Sequence, residues 1–146
     1  MKLPVIALAA FAAAMAFAAP APAAAQLNVV RAQLDSTAIL MNGRGFRQQD
    51  DFVTGSMNAG ANEEFELSLD GGKQYVIVGF CDGDCTDLDL ALTSAGGADV
   101  DSDYETDDYP VVLVEPGRAG TYNLKVIMAT CSVEPCFYGV GVFAKN

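Results

Sequence analysis

Acidic residues, nearly all aspartates, gather in two neighbouring stretches of this chain. Asp82, Asp84, Asp87 and Asp89 form the first, and Asp99, Asp101, Asp103, Glu105, Asp107 and Asp108 the second. Carboxylates are hard oxygen donors, and a calcium ion takes about 6–8 oxygens, so two adjacent acidic connections could furnish a site. On this reading Asp82, Asp84, Asp87, Asp89, Asp99, Asp101 and Asp103 are the candidate ligands, and calcium is the only cofactor expected. Known templates fit poorly. Asp99-x-Asp101-x-Asp103 starts like an EF-hand loop, but Tyr104 and Pro110 stand where the loop needs its Gly and its final Glu. Gly96-Gly97-Ala98-Asp99-Val100-Asp101 starts like a nonapeptide calcium repeat, yet the second glycine pair is missing and nothing repeats. The plainer reading, solvated acidic loops that keep the chain soluble, stands ahead of the ion site.

Catalytic chemistry has little to work with. The chain has no histidine, which removes Ser-His and Cys-His nucleophile systems. A paired-carboxylate glycosidase is formally open, but acids in the loops of a small domain are more often surface than dyad, and no Gly-rich phosphate loop is present. The expectation is that the protein is not an enzyme. Sugar stacking would fall to Tyr104, Tyr109 and Phe137, since there is no tryptophan. Tyr109, just before Pro110, reads better as a residue packed over a strand entrance.

Cys81, Cys85, Cys131 and Cys136 are the four cysteines. A zinc site would sit badly on spacings of C-x3-C and C-x4-C without histidine. An even count in an exported chain points to two disulfides with three possible connectivities. Pairing within each local pair, Cys81 with Cys85 and Cys131 with Cys136, is the simplest, and each small loop would contribute roughly 2 kcal/mol. Crossed pairing would tie the two loops together and stays open.

Export itself is read from the N-terminus. Met1-Lys2 is followed by an apolar run from Leu3 to Ala19 and by Pro20-Ala21-Pro22-Ala23-Ala24-Ala25. A basic start, a short apolar stretch and small residues at a cleavage site make a secretory signal. Ala23-x-Ala25 suits a cut before Gln26, with Ala19-x-Ala21 and Ala21-x-Ala23 as fallbacks, and the style suggests a bacterial periplasm or medium. A membrane span is the weaker reading, because a span wants about 20 strongly apolar residues. Without residues 1–25 the chain keeps 7 basic and 19 acidic residues, a formal charge of −12. Such a charge repels nucleic acid and anionic membranes, and leaves cations, basic proteins or a polymer as partners.

The elements that must position these groups change period along the chain. Leu27, Val30, Leu34, Ala38 and Met41 recur at spacings of three or four, which predicts a helix from Gln26 to about Met41 ending at Asn42-Gly43. That stripe is expected to pack on the rest of the domain, with a docking face as the alternative. Residues 44–51 read as a polar connector. Period two then takes over in Phe65, Leu67, Leu69, in Leu88, Leu90, Leu92, and in Tyr122, Leu124, Val126, Met128. Tyr75 to Phe80, Val111 to Val114 and Phe137 to Phe143 read as further strands, and Phe52 to Met57 as a weaker one. Short strands with turn signals between them predict one all-β domain, an antiparallel sandwich or barrel.

The order of these motifs resembles the bacterial pre-peptidase C-terminal (PPC-like) domain. The likeness rests on the alternating strand, Gly72-Lys73-Gln74-Tyr75, Asp87-Leu88-Asp89-Leu90, the acidic stretch, and Pro116-Gly117-Arg118-Ala119-Gly120-Thr121-Tyr122. It covers about Phe52 to Asn146 and implies a jelly-roll-like β-sandwich of non-catalytic role. The whole reading is therefore an exported binding or interaction module, with calcium as a candidate aid only, and with a ligand-free structural or stress-protective envelope protein as the alternative.

Overall fold

A computed structural model describes residues 22–146. Residues 1–21 of the expected signal lie outside them, while Pro22 caps helix α1, Ala23–Gly43, and Ala23, Ala24 and Ala25 open it. The helix therefore extends slightly beyond the expected stretch at both ends. Val30 and Leu34 are fully buried and Met41 nearly so, while Leu27 and Ala38 are half-buried.

Nine strands follow: β1 Arg47–Gln48, β2 Val53–Met57, β3 Asn62–Leu69, β4 Gln74–Cys81, β5 Cys85–Ser94, β6 Asp99–Asp103, β7 Val111–Val114, β8 Gly120–Cys131 and β9 Cys136–Lys145. One sheet runs β1-β9-β4-β7 with β2 also on β9, and the other runs β3-β8-β5-β6. Every pairing is antiparallel. Short β1 and β2 lie end to end along the same side of β9, so together they form one interrupted edge. The chain crosses between sheets at every step from β2 to β9 except the β5–β6 hairpin. That is the strand order of a jelly roll, the fold class expected.

One expectation needs correction. Asp99 to Asp103, read as part of an acidic loop, is strand β6, paired to β5 with Leu90 opposite Asp103 and Leu92 opposite Asp101. The connector at residues 44–51 likewise contains β1.

The main core lies between the sheets and includes Ile77, Leu88, Leu90, Leu92, Val112, Leu124, Val126, Met128 and Tyr138. A second core lies outside the first sheet, where Val30, Leu34 and Met41 of α1 meet Val76, Val78 and Phe143. This is why β4 is a nearly unbroken apolar run from Tyr75 to Phe80: α1 covers its outer face, so both faces are buried. The helix sits close because residue 139 is glycine. A Cβ there would stand 2.7 Å from Leu34 Cδ1 and from Val30 Cγ1. Burying Val30 and Leu34 contributes roughly 2 kcal/mol apiece, so the stripe is a packing face.

Candidate functional site

Both disulfides are local, Cys81–Cys85 and Cys131–Cys136. Cys85 lies opposite Cys131 in the β5–β8 register, which brings the two cross-linked turns to one end of the sandwich. Asp82, only 1% exposed, joins them. Its carboxylate accepts the Asp84 N–H at 3.1 Å and the Phe137 N–H at 2.7 Å, while its own N–H donates to the Phe137 carbonyl. Asp84 extends the clamp: its carbonyl accepts from Ser132 N–H and Oγ–H. Its carboxylate accepts the Gln26 amide at 2.6 Å, which anchors the first turns of α1 to the same corner.

The second acidic stretch works along the β6–β7 side of the sandwich, and its Asp107 carbonyl reaches the first stretch by accepting the Leu88 N–H at 2.9 Å. Asp101 and Asp103 share the core-facing side of β6 with their partners Leu92 and Leu90. From there they cross to the other sheet. Asp101 Oδ2 accepts the Leu113 N–H and Asp103 Oδ2 the Val111 N–H, both at 2.8 Å. These are the β7 amides turned away from β4, so two carboxylates lace the β6–β7 rim shut and blunt an edge strand. Asp103 also accepts the Glu105 N–H, and Asp107 the Tyr109 N–H. Asp99 lies exposed at the start of β6.

Two candidates are left without such employment. Asp89, on β5 opposite Ile127, is 9% exposed and receives no hydrogen bond among the described residues. Burial, then the nearby carboxylates of Asp87, Asp103 and Asp107, push its carboxyl above the ordinary range. Beside it, Asp87 has a buried Oδ1 with no hydrogen-bond partner. A buried carboxylate oxygen without a donor is costly, so this pair suits a proton or a cation. Among the described residues no three acidic side chains converge into a finished ligand set. The seven candidates thus divide: Asp82, Asp84, Asp101 and Asp103 hold protein groups, Asp99 is solvated, and Asp87 with Asp89 keeps free oxygens.

The aromatic candidates also separate. Tyr104 and Tyr109 are 61% and 56% exposed. Tyr109 therefore does not cover a strand entrance; its N–H is held by Asp107 and its ring stands in solvent. Phe137 packs under α1 instead. Sequence reasoning missed Tyr138 and Glu63. The fully buried Tyr138 hydroxyl donates to Glu63 Oε2 at 2.6 Å, and burial, then this bond, push the phenol upward. No helix among the described residues is long and apolar enough to cross a membrane. The chain matches no protein-family model and no curated protein.

Proposed function

We propose that this chain is an exported, non-catalytic binding module whose jelly roll is tuned by calcium at Asp87 and Asp89. The observation that carries the reading is the pair itself: Asp89, 9% exposed, receives no hydrogen bond among the described residues, and the buried Oδ1 of Asp87 has no donor. A cation supplies what the protein withholds, since it neutralises adjacent carboxylates where no N–H reaches them. Two carboxylates make a weak site, with water completing the shell, and a compartment outside the cytoplasm is where weak calcium sites fill. Export draws support from two formed disulfides, which belong to oxidising compartments. The same acids employed as backbone acceptors at Asp82, Asp101 and Asp103 support a scaffold role over a catalytic one.

The test is a melting curve in millimolar calcium against one in chelator. At calcium about ten times its Kd the fold gains about 1.4 kcal/mol, and Asp89→Asn abolishes the gain. Coincident midpoints for the native protein would sink the proposal.

A further inference from the structure

The two rims of the sandwich are finished differently. Asp101 and Asp103 lace β6 to β7 at one. At the other, β3 is an eight-residue edge strand that among the described residues pairs only with β8. The Ala61 carbonyl accepts the Met128 N–H at 3.0 Å, and Ala61 precedes Asn62, which lies opposite Ile127. Antiparallel alternation then turns the odd-numbered residues of β3 toward β8 and leaves the N–H and C=O groups of Glu64, Glu66 and Ser68 on the free edge. No partner meets them among the described residues. Phe65 and Leu67, which face inward along this rim, stay only half-buried.

We infer that the free edge of β3 takes an extended basic segment of another protein as an added antiparallel or parallel strand. Recognition follows from spacing. Glu64 and Glu66 are two residues apart on the outer face, so lysine or arginine at every second position of an added strand meets them. The residues between face inward and cover Phe65 and Leu67. Charge selects the partner: the chain carries −11 overall, which steers cationic segments toward it. Among the described residues, one ion pair, Lys125 to Glu64 at 2.9 Å, offsets these glutamates. A second copy of this chain is disfavoured, because β3 against β3 sets glutamate near glutamate. The inference rests on the proposed function only in that the chain acts by binding.

The test uses the full domain and a fluorescent, end-blocked eight-residue peptide of alternating lysine and valine. The peptide is expected to bind, with hydrogen-exchange protection appearing at Glu64, Glu66 and Ser68. The same peptide N-methylated at alternate residues keeps its charge and loses its donors, and should bind at least about ten-fold more weakly. Glu66→Pro removes an N–H that holds nothing in the ladder and should weaken binding as strongly, whereas Glu66→Gln should cost only a few-fold. Equal binding of the N-methylated peptide, equal binding of a glutamate–valine peptide, absence of protection on β3, or no binding at all overturns the inference. Protection of these amides by self-association, without peptide, overturns the assignment of the occupant. Asp89→Asn should leave peptide affinity unchanged, so the two readings fail separately.

Discussion

Asp89 is the residue at which burial and charge conflict most openly. Its carboxyl pKa is raised from 3.8 in the fold, by burial first and by the Asp87, Asp103 and Asp107 carboxylates next. A carboxyl raised in this way binds its proton more readily folded than unfolded. The ionised side chain therefore costs stability at neutral pH, and that cost disappears as pH falls through the raised value toward 3.8. In chelator, Asp89→Asn should melt higher than the native protein at pH 7, and the difference should shrink as the solution is acidified; urea denaturation at several pH values measures it. Asp101 has the opposite role. Its Oδ2 holds the Leu113 N–H at 2.8 Å, so Asp101→Ala should cost about 1 kcal/mol and speed amide exchange at Leu113 while leaving β4 protected. At this scale the sequence was readable only in part. It showed where the acids were and how many, but the long-range partners of Asp82, Asp84, Asp101 and Asp103 lie on other elements. The alternation of Asp99, Asp101 and Asp103 was a usable sign, since period two in acids fits a strand as well as a ligand loop. Asp82 offered no comparable sign, since its partner Phe137 is remote in the chain.

Among the elements, helix α1 was the most legible. The spacing of Val30, Leu34 and Met41 gave its buried face, and the structure buries those three. What receives them was hidden. Tyr138-Gly139-Val140-Gly141-Val142 looks like a strand with one apolar face, Tyr138, Val140 and Val142, and one face of glycine. The blank face is the seat of the helix. Gly139→Ala should lever α1 outward, because the new Cβ would meet Leu34 and Val30 at 2.7 Å; a loss of about 1–3 kcal/mol is expected from such overpacking. Leu34→Ala in the same chain should return part of that loss, and the double-mutant cycle in denaturant reads the coupling. If the two changes add independently, the helix does not rest where we place it. The strands themselves were read well wherever leucine or valine alternated, and poorly at β6 and β1, which have almost no apolar side chains to signal a face.

For the whole molecule, the pattern of short strands was enough for one antiparallel all-β domain, a sandwich or barrel, and the strand order 2-9-4-7 and 3-8-5-6 makes it a jelly roll. Local cysteine pairing follows from that order: β4 ends at Cys81 where β5 begins at Cys85, and β8 ends at Cys131 where β9 begins at Cys136. Each cross-link closes a connection between the two sheets at the same corner, where Asp82 and Asp84 add their hydrogen bonds. The acidity of the chain is thereby divided among three tasks. Some acids tie loops and the β6–β7 rim, some line the open β3 edge, and one pair is left over. It is this remainder that the functional account depends on. Calcium titration calorimetry of the native protein and of Asp89→Asn tests it most directly. The account predicts about one ion per chain with a Kd of about 10⁻⁴–10⁻³ M, lost in Asp89→Asn and kept in Asp99→Asn. Calcium binding that is absent at several times that concentration, or that survives Asp89→Asn, would contradict it.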